Sequence, residues 1–155
     1  MKRKKVLDLG CGEGYYSRVF AELGAHVTGI DFSEEMVNAA SEEEIRLPLG
    51  INYVTADASN LKEIESCCFD VVFSFMTLMD IEDYEAAVKE VARVLKERGR
   101  FIIVTLHPCF EWSDDRQISG WETRVREDGS KISQYFLYDY FNQRIETVSW
   151  DFERL

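Results

Sequence analysis

The sequence predicts an α/β fold, an open and mainly parallel sheet flanked by helices, followed by a C-terminal antiparallel β-hairpin. Three observations predict it. Short apolar runs alternate with helical patterns along residues 5–106, which is how a parallel sheet covered by helices reads. The first run breaks into a glycine turn, Gly10-Cys-Gly-Glu-Gly14, and beyond Pro108 the chain turns to alternating polar and apolar residues.

The first strand is about Lys5 to Leu9. A helix follows from about Gly14 to Leu23, with Val19, Phe20 and Leu23 on one face and Gly24 at its stop. The second strand is about His26 to Ile30. Ser33 is a good N-cap for the next helix, and Glu34 and Glu35 stand in its first turn, where the helix dipole favours negative charge. Ser41-Glu-Glu-Glu44 and Pro48-Leu-Gly50 mark its end and a connection. The third strand is Ile51 to Thr55, a short helical turn is expected near Asn60 to Glu65, and the fourth strand is Asp70 to Phe75. Tyr84, Ala87, Val88, Val91 and Leu95 recur at helical spacing with Gly99 at the stop position, and the fifth strand, Arg100 to Leu106, is apolar enough to be buried on both faces. Residues 111–130 are polar with turn signals at Asp114-Asp115 and Asp128-Gly129. Ile132 to Phe141 and Arg144 to Phe152 are expected to form the hairpin around Asn142-Gln143.

A length of 155 residues predicts one domain over 1–155, with a core over 1–108 and a β-rich tail over 109–155, and 46% hydrophobic residues suffice for a packed core. The 29 acidic residues against 18 basic ones give a formal charge of -11, which argues against a nucleic-acid partner, because phosphate binding needs a basic face. Cys11, Cys67, Cys68 and Cys109 form no CxxC pair and no metal site is expected from their spacing. With no signal peptide and no apolar run of the roughly 20 residues that cross a bilayer, the expected location is the cytoplasm, away from the membrane.

The glycine turn narrows the ligand. Its pattern is GxGxG, whereas dinucleotide sites carry GxGxxG with the third glycine where this chain has Tyr15. Asp8, at the carboxyl end of the first strand, would repel a pyrophosphate but suits a ligand bearing an ammonium and a sulfonium. Asp31, at the tip of the second strand, stands where a carboxylate accepts hydrogen bonds from both ribose hydroxyls. The ligand this combination favours is S-adenosylmethionine.

Four blocks, VLDLGCGEG from Val6, GIDFS from Gly29, ADA from Ala56 and FDVVFSFMTLMDI from Phe69, followed by a helix and GRFIIVTLHP, resemble the class I S-adenosylmethionine-dependent methyltransferases, in particular the small-molecule branch similar to ubiquinone-biosynthesis enzymes. The resemblance covers about Val6 to Pro108 and implies a Rossmann-like sheet, methyl transfer to a small-molecule acceptor and S-adenosylhomocysteine as product. It implies that backbone groups of Gly10, Cys11 and Gly12 approach the methionine part, and that Asp8 helps hold its ammonium directly or through water. Asp31 takes the ribose hydroxyls, Phe32 and Met36 sandwich the adenine, Asp57 accepts from the adenine amino group, and the Ala58 amide reads the neighbouring ring nitrogen. Ser74 and Phe75 contact the methionine moiety and face the acceptor. For several of these a plainer reading stays open: Phe32 and Met36 as core, Asp57 as a turn cap.

Methyl transfer from a sulfonium is an in-line displacement, so a base is needed only where the acceptor must lose a proton. His107, just past the fifth strand, is the candidate base, with packing beside Pro108 as the alternative; Tyr15, Tyr16 and Asp80 are further candidates. The chain has Ser74-Phe-Met-Thr where nucleic-acid amino methyltransferases carry a Pro-Pro-aromatic block. Set against the family, it looks shortened at both ends, and an uncovered sheet edge predicts a homodimer or swapped assembly through the segment after Phe110. Two other readings remain: a non-catalytic S-adenosylmethionine-binding or interaction module, and a nicotinamide-dependent oxidoreductase, against which Gly14 and Asp8 argue. Phe110, Trp112, Trp121, Tyr135, Tyr138 and Tyr140 would wall an acceptor pocket if the tail folds over it, although an aromatic hairpin is more often core or interface.

Overall fold

The computed structural model describes residues 1–106, 119–126 and 128–137. The chain divides into two compact units, Met1–Thr105 and Leu106–Leu155.

The first unit is a five-stranded sheet in the order β3-β2-β1-β4-β5, every neighbouring pair parallel. Its elements run β1 (Lys5–Leu9), α1 (Tyr15–Glu22), β2 (His26–Asp31), α2 (Glu34–Arg46), β3 (Asn52–Thr55), β4 (Phe69–Phe75), a 3₁₀ turn (Leu78–Asp80), α3 (Tyr84–Val94) and β5 (Leu95–Val104). β1 is central and its apolar residues serve two cores, one on each face of the sheet. Leu7 and Leu9 pack with Ile30, Val72, Val91 and Val94, while Val6 packs with Val27, Val71 and Ala25. Parallel strands covered on both faces must be apolar at successive positions, and each buried aliphatic side chain contributes about 1.5–3 kcal/mol.

The helices are set by their caps. Gly14 enters α1 at φ +87, a left-handed conformation open to glycine, and a Cβ there would collide with the Tyr53 ring, so both backbone and packing demand glycine. Ser33 caps α2 by accepting from the Met36 N–H at 3.3 Å, and Asp83 caps α3 by accepting from the Ala86 N–H at 2.9 Å.

Several expectations are corrected. On α1 the buried side is Ser17, Phe20 and Ala21, and Leu23 is exposed, so the inward face is rotated from the one the apolar residues suggested. The short helical turn expected near Asn60 to Glu65 is a single hydrogen-bonded turn, Ile64 N–H to the Leu61 carbonyl at 2.9 Å. α3 ends at Val94, five residues before Gly99, because Leu95 pairs with Phe69 and starts β5. Lys96 to Gly99 then form the irregularity before Arg100 pairs with Val71, with Arg98 at φ +64. β5 is an outer strand of the sheet; Phe101 packs against the Leu7 and Leu9 core, but Ile102, Ile103 and Val104 are 40–46% exposed, so the strand expected to be buried on both faces is only partly covered.

In the second unit, β6 (Ser119–Val125) pairs antiparallel with β7 (Lys131–Leu137). The hairpin therefore uses the Asp128-Gly129 turn, where Gly129 has φ +79 and Asp128 accepts from the Ser130 N–H at 2.9 Å, and it recruits residues expected to be loop. Lys131 to Leu137 pairs backward with residues 119–125. The expected partner strand, Arg144 to Phe152, and the expected turn at Asn142-Gln143 lie outside the described residues.

Candidate functional site

The carboxyl ends of β1, β2, β3 and β4 meet at one open cavity of about 880 Å³. In the strand order the chain runs from β1 outward to β3 and then crosses to β4 on the other side of β1, and a sheet of this kind forms a crevice where the direction reverses. Gly10, Asp31, Phe32, Asp57, Ala58 and Phe75 line it, together with Met76, Thr77 and the segment from Asp80 to Asp83.

The turn after β1 is held internally. The Gly10 and Cys11 N–H groups both donate to the Ile30 carbonyl at 2.8 Å, and the Gly12 N–H donates to Asp31 Oδ2 at 2.8 Å. These three amides are therefore occupied within the fold. Gly10 lines the cavity; Cys11 is buried with its thiol pushed up to about 12, first by burial and then by Asp8 and Asp31, so it stays protonated. Gly10 has φ +73, and a Cβ on it would stand 2.2 Å from Thr77 Cγ2, so the β1 and β4 turns touch across this glycine.

Asp31 is fixed at both oxygens, since Oδ1 accepts from the Ser33 N–H at 2.9 Å while Oδ2 takes Gly12. Each carboxylate oxygen has a second lone pair, so the group keeps accepting capacity toward the cavity it lines. Asp8, expected to help hold a ligand ammonium directly or through water, sits beneath the turn. It is 1% exposed, lies off the cavity wall and accepts from Ser17 Oγ at 2.6 Å. Burial pushes its carboxyl up to about 6; the Ser17 hydrogen bonds oppose that, and Asp31 adds to it.

Phe32 is 81% exposed beside the cavity, an unpacked aromatic ring and so not a core residue. Met36 is half-exposed on the first turn of α2 and off the cavity wall. Asp57 is indeed a turn cap, accepting from the Ser59 N–H at 2.8 Å and Ser59 Oγ at 2.7 Å, yet both bonds fall on Oδ1 and the residue also lines the cavity with Ala58. The turn-cap reading therefore holds, and the cap leaves Asp57 on the cavity lining. Ser74 is fully buried in β4, its Oγ without a hydrogen-bond partner among the described residues, and it does not line the cavity, whereas Phe75 does. Tyr16 packs on Phe75 and Phe73 with ring centroids 4.7 and 5.2 Å apart and backs Phe75 without lining the cavity itself. Asp80 is on the cavity lining. His107 lies outside the described residues, as do Phe110, Trp112, Tyr138 and Tyr140; Trp121 and Tyr135 fall on β6 and β7.

Ser17 is the residue the sequence reading missed. The signal was present: a small polar residue three and four positions before Phe20 and Ala21 on the inward stripe of α1, which is where a hydroxyl must have a buried partner. Chemically, the lining is acidic, with Asp31, Asp57, Asp80, Glu82 and Asp83 and no lysine or arginine among the described lining residues. It favours a cation and disfavours phosphate. Among the described residues no group of three or more His, Cys, Asp or Glu could hold a metal ion, and no helix is long and apolar enough to cross a membrane.

Residues 7–103 match the family described as "Methyltransferase domain". A ubiquinone biosynthesis O-methyltransferase of Idiomarina loihiensis is 36% identical over 104 residues, 67% of this chain and 43% of that protein. The chain spans less than half the length of such relatives. Among solved structures, an S-adenosylmethionine-dependent methyltransferase from Mesorhizobium loti overlays with a TM-score of 0.72 at 28% identity, covering 90% of this chain and 59% of that one. The [4+2]-cyclase SpnF overlays at 0.61 with 28% identity, covering 66% and 38%.

Proposed function

We propose that this chain, which belongs to the class I S-adenosylmethionine-dependent methyltransferase family, binds S-adenosylmethionine in the cavity at the carboxyl ends of β1 to β4 and transfers its methyl group to a small-molecule acceptor. The observation that carries the reading is the lining itself. One cavity gathers Asp31 for the ribose hydroxyls, the bare ring of Phe32 for the adenine face, Asp57 and Ala58 for the adenine edge, and an acidic wall for the two positive charges of the donor. Met36 would cover the other adenine face from α2.

The bound donor supplies an activated methyl, which leaves sulfur for the acceptor's lone pair while sulfur keeps the bonding electrons. The chain's own contribution is placement and exclusion of water. Asp31, already oriented by two backbone amides, fixes the ribose without reorganising. Phe75, backed by Tyr16, would face the acceptor from the β4 side, with Ser74 beneath it. Asp8 acts from under the turn, as negative charge and support, through Ser17. His107 is proposed as the base for acceptors that lose a proton. We further propose a cytoplasmic location and a homodimer through the segment after Phe110, which light scattering tests: a clean monomer at high concentration contradicts the dimer.

The test is formation of S-adenosylhomocysteine when the chain is given S-adenosylmethionine and a panel of phenols, amines, thiols and carboxylic acids. Turnover with one class supports the reading. Tight cofactor binding without turnover on any member supports a binding module or a different reaction, which the shared fold of the cyclase SpnF makes concrete.

A further inference from the structure

The loop that carries Asp57 and Ala58 runs from the end of β3 to β4 without regular secondary structure, and α3 holds it from one side. The Leu61 N–H donates to Glu90 Oε2 at 2.8 Å. Arg93 Nη2 donates to the Leu61 carbonyl at 2.7 Å, and Nη1 donates to the Ile64 carbonyl at 2.9 Å and to Ser66 Oγ at 3.0 Å. The two side chains also grip each other, Arg93 Nε to Glu90 Oε1 at 2.9 Å and Nη2 to Oε2 at 2.8 Å. An i,i+3 ion pair on a helix surface ordinarily contributes little. Here the guanidinium fork also takes two main-chain carbonyls that are 29 and 32 residues away in sequence, using the planar multi-donor geometry that lysine lacks.

The consequence lies at the cavity. The Ala56 N–H donates to the Asp31 carbonyl at 2.9 Å, which fixes the near end of the loop to β2. The far end is fixed at Leu61, whose side chain is buried and whose N–H and carbonyl are both taken by the Glu90–Arg93 pair. Between them Asp57 closes a tight turn, accepting from Asn60 N–H at its carbonyl and from Ser59 at Oδ1. With both ends and the turn fixed, the position of the Asp57 carboxylate is determined.

We propose that Arg93, oriented by Glu90, is a positioning residue for recognition of the adenine edge: it fixes the loop so that Asp57 and Ala58 are presented at the cavity. This rests on the cofactor reading above. Arg93 touches no ligand and acts through the loop, so its loss should reduce discrimination at the adenine amino group more than it reduces binding in general.

The experiment is calorimetric titration of the full chain, wild type, Arg93→Lys, Asp57→Ala and the double variant, with S-adenosylhomocysteine and with S-inosylhomocysteine, whose ring carries an oxygen in place of the amino group. Arg93→Lys keeps charge and stem and loses the fork, which protects the fold. It should weaken S-adenosylhomocysteine by about tenfold, the scale of one charge-assisted hydrogen bond. The inosyl ligand should weaken by no more than about twofold, and in the Asp57→Ala background the adenosyl effect should fall to the same size. Equal weakening of both ligands, full additivity with Asp57→Ala, or unchanged affinity overturns the proposal. A merely structural role would lower the melting temperature and leave the ratio of the two affinities where it was. Wild-type chain that binds neither ligand overturns the cofactor reading and this inference with it, whereas binding without the Arg93 effect overturns this inference alone.

Discussion

The β1–β2 half of the first unit and its β4–β5 half reach the same cavity and are built in opposite ways. In the first, the turn amides are taken by Ile30 and Asp31, both Asp31 oxygens are engaged, and Val6, Leu7, Leu9 and Ile30 have no exposed surface. In the second, Met76 sits at φ +54 and Ser74 Oγ has no partner among the described residues. Four residues interrupt the β4–β5 register, and three consecutive aliphatics of β5 face outward. A half preorganised in this way suits the constant part of a ligand. The other half carries strained backbone at Met76, and backbone strain of this kind gathers at functional sites.

Truncation of the core should separate the two halves most. Leu9→Ala should cost about 3 kcal/mol by urea unfolding, because a central strand cannot collapse onto the void, while Ile102→Ala should cost under about 1 kcal/mol. Equal costs would mean that β5 is covered in solution. Gly10→Ala should cost about 1–3 kcal/mol, as left-handed backbone and the Thr77 side chain both resist a methyl, and Thr77→Ala in that background should recover part of it.

Smaller, but specific in sign, is the pH dependence of Asp8. Its carboxyl in the folded chain lies at about 6, above its value of 3.8 in an unfolded one, so the native state holds the extra proton between those values. Stability from this group is therefore present below the lower value and is lost as pH rises through about 6, a swing of about 3 kcal/mol. Asp8→Asn should flatten that part of the profile. Ser17→Ala should destabilise by about 1–2 kcal/mol above pH 6 and by less at pH 4–5, where the carboxyl is protonated. Loss of equal size at both pH values would show that Ser17 serves packing alone.

The sequence made the first half legible and the second half less so, for a physical reason. Lys5–Leu9 and His26–Asp31 are short buried runs joined by glycines that only a turn requires, and Asp8 and Asp31 are carboxylates in places where nothing but a site or a cap explains them. The strand end that Asp8 occupies was legible from spacing, whereas its closure by Ser17 was not, because spacing does not report whether a helix residue will pack over a side chain. β5 was expected to be buried because Phe101, Ile102, Ile103 and Val104 are apolar, but composition does not report whether a strand lies at the edge. Leu95 fits a helical period and a strand pairing equally, and tertiary pairing with Phe69 decided it. β6 was expected to be loop because Trp121, Thr123 and Val125 alternate among charged residues that look like loop.

If the preorganised half holds an adenosyl ligand through Asp31, titration of S-adenosylhomocysteine into the full chain and into Asp31→Ala will separate the two proteins. Saturable one-to-one binding by the wild type is expected, with at least about a hundredfold loss in the variant, whose ribose acceptor and two turn anchors are gone. No binding by the wild type, or equal binding by both, would contradict this role of Asp31.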